Sequence, residues 1–407
     1  MSDGAAPIAY LCLQATREGQ GSHAHVHEII RGLERRGYAV DLFEPAYAQA
    51  GATPPGAFGR ALEFRRIQKD LTLRSRDAVA VYIRAHFAAV TTARWAKQHG
   101  VPVIQEVNGP YEDLFTAWPW TRYFRRYFTS LMREQYRSAD VVITVTDELA
   151  AWLAEETGRT DIKVVPNGAN TELFAPGAAP LAGMPERYVL FFGAFAVWQG
   201  LDTLMAATED EAWPDDVSLL VAGDGAARHI VEREADRNPR VTYLGRVPYA
   251  DVPRLLAGSI AGLSPQGSAG GHSATGLAPQ KVYETLACGV PVVVTDFPGQ
   301  ADLVREHDLG LVVPPDDPAA IARAVKQLAS DPLQAREMGE RGRHVVAANH
   351  SWDSRAAVTA RVLDAVLACS VPSPARAGAA EVSRYATPDA GRVHSSQVTP
   401  PYARYKK

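Results

Sequence analysis

The stretch Gly19–Gly37, GQGSHAHVHEIIRGLERRG, places histidines at 23, 25 and 27. Imidazole is a common metal ligand and a proton carrier near neutral pH, so metal binding is the first chemistry to test. If the segment opens a helix, with Gly21 in the turn and Ser22 as its N-cap, His23 and His27 share a face. His25 then points about 160° away from both. Three ligands for one metal are thereby excluded. The remaining HxxxH pair lacks further ligands, and Glu28 is not placed like the base of an HExxH site, so no metal is expected. What is left is capping or solvated histidine, together with a strand, glycine turn and helix start whose free N–H groups and dipole suit an anion.

A second stretch of this kind is SPQGSAGGHSATGLAPQKVYETLACGVPVVVTDFPG, residues 264–299. A long glycine- and serine-rich loop follows a strand and enters a helix near Pro279, a residue suited to a first helical turn. Lys281, Glu284 and Cys288 then fall near one face. At a helix start facing a cleft, they would set a cation for phosphate beside a carboxylate able to accept two ribose hydroxyls. The competing reading is an ordinary i, i+3 surface ion pair, which composition alone favours.

Elements of one kind must carry both stretches. Short apolar runs at 8–13, 39–43, 78–83, 102–107, 140–146 and 163–167 alternate with helical patterns. They resume at 188–193, 217–223, 241–245, 259–265, 291–296 and 309–314. Strands alternating with helices imply βαβ units and parallel sheets, and continuous apolar runs imply helices on both faces. Linker composition in PGAAPLAGMPER (176–187) divides the halves. The expected fold is α/β, with two Rossmann-like doubly wound parallel-sheet domains, 1–180 and 181–350, facing across a cleft. A helix over 351–369 returns toward the first domain. The tail 370–407 is poor in large aliphatics and is expected to stay disordered.

Composition bounds the partners. With 42 Lys and Arg against 46 Asp and Glu, the net charge is −4, which offers no global field for nucleic acid. Three scattered cysteines suggest neither disulfides nor a thiolate metal site, and fit a reduced, cytosolic compartment. No signal peptide or bilayer-spanning run is read. The segment FTAWPWTRYFRRYFTSLMREQYR (115–137) interleaves aromatics with arginines. It suits either a lipid headgroup layer at the inner face of a membrane or packing on the first sheet. Packing is adopted, because no second membrane anchor is visible.

PQKVYETLACGVPVVVTDFPGQADLV resembles the carboxy-terminal signature of the family-4 retaining glycosyltransferases of GT-B fold. GSHAHVHEIIRGLERRGYAVDLF resembles their amino-terminal glycine turn, helix and second strand. SADVVITVTDELAAWLAEETG, IKVVPNGANTELFAP, YVLFFGAFAVWQGLDTLMAA and LLVAGDGAARHIVE follow in order, and the likeness spans about residues 8–367. The resemblance implies a nucleotide-diphosphate-sugar donor held by the second domain and an acceptor approaching from the first. Glu284 matches the ribose-binding glutamate. Backbone amides around Gly276, Leu277 and Gly21 would cradle the diphosphate and sugar, and Gly193 opens the donor pocket. His25 matches a histidine that packs the helix or anchors a loop, and is also a candidate contact to sugar or acceptor.

Departures from the family pattern matter too. Gly276 stands where the family often has a first glutamate, and Ala194 and Gln199 replace an arginine and a lysine. Lys281 and Arg246 remain to neutralise phosphate. Asn108 replaces a histidine, and with Glu106 it is a candidate contact for sugar or acceptor. The implied enzyme moves a sugar, with retention, to a hydroxyl of a saccharide, lipid-linked saccharide or small molecule, as in bacterial polysaccharide or glycoconjugate synthesis. Glu284, Lys281 and Asn108 carry the chemistry, without metal or other cofactor. A non-catalytic nucleotide-sugar-binding subunit is the alternative, and a third reading is hydrolysis or epimerisation of the nucleotide sugar.

Overall fold

The computed structural model describes residues 6–16, 21–48, 55–268 and 272–370, without the side chains of 272, 273 and 370. The residues just before Gly21, the middle of the glycine-rich loop at 269–271 and the tail beyond 370 lie outside the described residues. The described residues through Ala368 belong to one compact unit.

Each half folds into a six-stranded parallel sheet. The first holds β1 (Ile8–Leu11), β2 (Val40–Phe43), β3 (Ala80–Arg84), β4 (Val103–Val107), β5 (Val141–Thr144) and β6 (Ile162–Val164), in the order β2-β1-β3-β4-β5-β6. The second holds β7 (Tyr188–Ala194), β8 (Ser218–Asp224), β9 (Val241–Gly245), β10 (Gly262–Ser264), β11 (Val292–Thr295) and β12 (Gly310–Val313), in the order β12-β11-β10-β7-β8-β9. Strands β1, β3, β4 and β5 are buried along their whole length, as continuous apolar runs require, whereas edge strands β2 and β6 are half-exposed. Strand order reverses between β1 and β3 and between β7 and β10. In doubly wound sheets the crevice beyond the carboxyl ends at such a point is where ligands sit.

Seven helices shape the cleft and its surroundings: α1 (Gly21–Glu34), α2 (Ala57–Arg74), α3 (Tyr111–Ala117), α4 (Arg125–Ser138), α5 (Asp147–Thr157), α6 (Gln280–Ala287) and α7 (Trp352–Ser370). Trp352, Ala356, Ala360 and Leu363 of α7 are buried with Ile8 and Tyr10 of β1 and Val26 and Ile29 of α1, so the C-terminal helix covers the first sheet. Two local expectations shift. Gly21 and Ser22 are both helical residues of α1, so Ser22 is not its N-cap, and Pro279 is the N-cap of α6.

The packing expected for 115–137 holds only in part. Phe115, Phe128 and Met132 are buried, but Trp120, Tyr123, Phe124 and Tyr127 stand exposed. Trp120, Tyr123 and Phe124 lie in a 3-10 turn over Pro119–Phe124, between α3 and α4, and Tyr127 lies in the first turn of α4.

Candidate active site

The two switch-point edges enclose a cleft of about 770 Å³, a size suited to a ligand of nucleotide-sugar dimensions. From the first domain come Gly21, Ser22, His25, Arg84, Asn108 and Asn167. Across from them stand Gly193, Gln199, Asp224, Arg246, Tyr249, Gly276, Leu277, Lys281 and Glu284. Hydrogen bonds stitch the walls at the base: Gln280 Nε2 donates to Gly21 O at 2.7 Å, Asn167 Nδ2 to Ala278 O at 2.7 Å, and Thr146 Oγ1 to Thr275 O at 2.6 Å. The structure thus brings together every residue expected at the site except Glu106.

On the second wall, Lys281 and Glu284 are 9% and 3% exposed, which overturns the surface ion pair. No ion pair joins them among the described residues. Lys281 Nζ donates to Gln199 Oε1 at 2.6 Å and lies 3.8 Å from the centre of the Phe191 ring, a cation–π arrangement. Glu284 accepts from the Tyr249 hydroxyl. Burial lowers the Lys281 ammonium to about 7, against the opposing pull of Glu284. Burial likewise raises the Glu284 carboxyl to about 7, although Tyr249 and Lys281 act the other way. Both groups sit close to neutrality because neither has enough partners to hold its charge.

Gln199 also accepts from Gln266 Nε2 at 3.2 Å, so the residue standing where the family has a lysine serves as a holder for Lys281. A Cβ added at Gly193 would lie 3.6 Å from Lys281 Nζ. The ammonium from α6 therefore reaches the end of β7, beside the turn that lacks the usual arginine and lysine. Arg246, by contrast, has a side chain 59% exposed and sits 4.0 Å from Asp224 Oδ2, a loose pair at the cleft mouth.

The glycine turn departs from expectation at one atom. Leu277 N donates to Pro298 O at 2.8 Å, so that amide is already committed and is not a phosphate donor. Gly276 has φ +71°, and a Cβ there would lie 3.0 Å from both Glu148 Oε2 and Pro298 O. The backbone is left-handed and the space is filled, so this turn rejects the glutamate that the family often places here.

On the first wall, Glu106 is not a ligand contact. It is 1% exposed and accepts from Tyr82 OH at 2.7 Å, Asn108 Nδ2 at 2.6 Å and Arg84 Nη1, with His25 Nε2 at 3.0 Å. Burial alone would raise its carboxyl, but His25, Arg84 and the hydrogen bonds from His25 and Asn108 hold it well below the usual carboxylate range. His25 Nδ1 meets Asn167 Oδ1 at 2.7 Å. Both ring nitrogens thus have an oxygen within hydrogen-bond reach. The ring also packs edge-on to Trp352 at 5.1 Å, so His25 anchors α1, the 165–170 loop and α7. Asn108 gives one amide N–H to Glu106, which leaves Oδ1 and the second N–H as what it can offer a ligand. His23 and His27 lie side by side with ring centres 4.0 Å apart, as the helical period required.

Sequence reading missed Arg84, Asn167 and Tyr249. Arg84 has a signal in hindsight, a charge ending an otherwise apolar strand at a carboxyl edge. Asn167 lies in a quoted stretch, VVPNGAN, without a role, and nothing marks Tyr249 in VPYADVP.

Comparison with known proteins adds to this geometry. The family model described as Glycosyltransferase Family 4 matches residues 19–173, and the one described as Glycosyl transferases group 1 matches 186–331. The chain is 28% identical over 381 residues to the phosphatidyl-myo-inositol mannosyltransferase of Mycobacterium leprae, spanning 88% of this chain and 96% of that one. It is 30% identical over 246 residues, 57% of this chain and 64% of the relative, to a GDP-mannose-dependent alpha-(1-6)-phosphatidylinositol monomannoside mannosyltransferase of Mycolicibacterium smegmatis. Its fold matches sucrose-phosphate synthase of Thermosynechococcus elongatus with a TM-score of 0.74 at 19% identity, over 90% of this chain and 100% of that one. It also matches Anabaena HepE in complex with UDP-glucose, at 0.67 and 16% identity, over 88% and 99%. With both halves matched and the two sheets opposed across a cleft, the chain belongs to the family-4 glycosyltransferases and is a glycosyltransferase of GT-B fold.

Proposed function

We propose that the chain transfers a hexosyl residue, with retention, from a nucleotide-diphosphate donor to a hydroxyl of a lipid-linked or saccharide acceptor. One observation carries the reading: a buried lysine and a buried carboxyl, one helical turn apart on α6, face a two-walled cleft and are both held near neutrality for want of partners. A donor diphosphate supplies the anion that Lys281 lacks, and its ribose supplies hydroxyls to Glu284 in place of Tyr249. GDP-mannose is the first donor to test, because relatives 28–30% identical to the chain include proteins named for mannosyl transfer, several of them as GDP-mannose-dependent.

In the reaction, the bond from the sugar anomeric carbon to the phosphate oxygen breaks. The acceptor oxygen bonds to that carbon on the same face, and its proton passes to the departing phosphate. The protein then needs no strong base. It positions two substrates and stabilises the leaving charge through Lys281, with the Asn108 amide offered toward the sugar. No step needs a metal or other cofactor, since an ammonium and helix starts can balance the phosphate. Residues His25 and Glu106 act only by fixing the first wall.

Calorimetric titration with GDP, UDP, ADP and their sugars tests the reading, followed by transfer assays on Glu284→Ala and Lys281→Ala. Absence of nucleotide-sugar binding at millimolar concentrations would sink it. Binding without turnover toward any hydroxyl acceptor would favour the non-catalytic subunit, and turnover without an acceptor would favour hydrolysis or epimerisation.

A further inference from the structure

Tyr249 holds the carboxyl that the donor reading gives to ribose. Its hydroxyl donates to Oε1 of Glu284, and both side chains line the cleft. A ribose offers two neighbouring hydroxyls, one for each carboxylate oxygen. Oε1 is already taken by the tyrosine, and Glu284 is so deeply set that little of the carboxyl is open to a second donor at that oxygen. A ribose that bridges both oxygens therefore displaces the phenol.

The two partners differ in how firmly they are held. Every residue of α6 from Lys281 to Ala287 is buried, so the carboxyl sits on a fixed helix. Tyr249 belongs to a three-residue 3-10 turn, Tyr249–Asp251, that follows β9 at the cleft and is flanked by exposed Pro248 and Ala250. In an exchange of partners the tyrosine moves and the carboxyl stays.

A second contact gives the tyrosine a place to return to. Its ring stands edge-on to buried Phe174, with centres 5.2 Å apart and planes at 60°. Phe174 is tied down in turn, because its N–H donates to Asn170 O at 2.8 Å and Arg343 Nη1 donates to its carbonyl at 3.1 Å. The ring is thus seated without help from its hydroxyl. A buried carboxyl left with no donor is costly, so a hydroxyl waiting beside it makes the loss of ribose easier. Product departure limits turnover in many enzymes, which gives such a neighbour a use.

We propose that Tyr249 competes with the donor ribose for Glu284: its hydroxyl yields the carboxyl as a nucleotide sugar enters and retakes it as the nucleoside diphosphate leaves, speeding product release. The proposal rests on the donor reading above, in which Glu284 accepts the ribose hydroxyls. Tyr249 is then a positioning residue that acts through Glu284, and only hydrogen bonds change hands.

Titration and stopped-flow dissociation at pH 8 test it, using the full chain and Tyr249→Phe with GDP, UDP and their 2′,3′-dideoxy analogues. Phenylalanine keeps the ring and its seat on Phe174 and removes the competing hydroxyl alone. The ribonucleotide that binds should be held about tenfold more tightly by the variant, through slower dissociation, since a hydrogen bond to a charged group is worth at least that factor. The dideoxy analogue should not distinguish the two proteins, because it brings no hydroxyl to replace the phenol. Damage to the fold does not tighten binding, so a gain confined to the ribonucleotide is specific. Equal or weaker ribonucleotide binding by Tyr249→Phe overturns the proposal, as the phenol then supports the nucleotide or merely props Glu284. So does equal tightening of the dideoxy analogue, which would mean only a roomier cleft. If neither protein binds any nucleoside diphosphate, the donor reading itself falls and the proposal falls with it.

Discussion

The two walls of the cleft rest on the same kind of edge, the carboxyl ends of parallel strands beside a switch point, yet they treat buried charge in opposite ways. On the first wall, Glu106 is surrounded by Arg84, His25, Asn108 and Tyr82, and its carboxyl is held well below the ordinary range. On the second, Glu284 has one hydroxyl donor, and Lys281 has one neutral acceptor and a ring face. A buried charge that is fully partnered is complete without a ligand and works as scaffold. A buried charge short of partners is completed only by what enters the cleft. Counting donors around each carboxylate therefore separates framework from working surface, where burial alone makes Glu106 and Glu284 look alike.

The comparison breaks most visibly in stability. Glu106→Ala strands Arg84 without its counter-charge and leaves His25 Nε2 without its oxygen partner, and should cost roughly 3–5 kcal/mol, read as a large fall in the thermal midpoint. Glu284→Ala removes a carboxyl that burial already disfavours, and its midpoint should stay level or rise. Equal losses in the two variants would mean that Glu284 is as much a structural hub as Glu106.

Activity should show the reverse order. Lys281→Ala removes the ammonium placed for the leaving phosphate and should lower kcat/KM by about 10²–10³, at little cost in stability. Because Gln199 and Lys281 touch, exchanging them in the double variant Gln199→Lys with Lys281→Gln keeps a cation at the same place. It should recover part of the loss, and no recovery would show that the ammonium must come from α6.

The pH dependence sharpens the contrast through its sign. Glu106 has a folded-state pKa below the unfolded value, so its stabilisation is present above about 4.5 and is lost as pH falls through and below that value. Glu284 is raised from 4.5 to about 7, so the native state holds the proton more tightly. Its contribution is favourable in acid and declines as pH rises from about 4.5 to 7. Lys281 is lowered from 10.5 to about 7, so the unfolded chain binds the extra proton and stability increases from about pH 7 to 10.5. The pair thus contributes least near pH 7, where nucleotide affinity should peak, since diphosphate needs the ammonium and ribose the carboxylate. Chemical denaturation across pH should show this shallow minimum in the wild type. It should be missing from the double variant Lys281→Gln with Glu284→Gln.

Sheet count and parallel order were legible because continuous apolar runs state which strands are covered on both faces. Lys281 and Glu284 were legible by spacing on a helix start. Their burial was not, because it depends on Phe191, Gln199 and Tyr249 arriving from other elements. Glu106 was misassigned for the same reason: a carboxylate at the end of a strand looks like a ligand contact until its partners from β1, β3, the end of β4 and α1 are in place. The exposed aromatics escaped sequence reading because buried Phe128 stands next to exposed Tyr127 in one helix turn, where residue type gives no sign of which ring is covered.

The smallest effect separates the two cations of the second wall. Arg246 sits at the cleft mouth with most of its side chain in water, and its partner Asp224 lies at the limit of ion pairing. Water and salt screen such a charge, so its interaction with a bound diphosphate is worth about 0–1 kcal/mol. Arg246→Ala should weaken nucleotide binding no more than about fivefold, and raised salt should erase the difference. The loss in Lys281→Ala should persist in salt, because a buried ammonium is shielded from counter-ions. If Arg246→Ala instead matches Lys281→Ala and resists salt, the arginine folds over the bound donor, and the phosphate site is built from the cleft mouth as well as from α6.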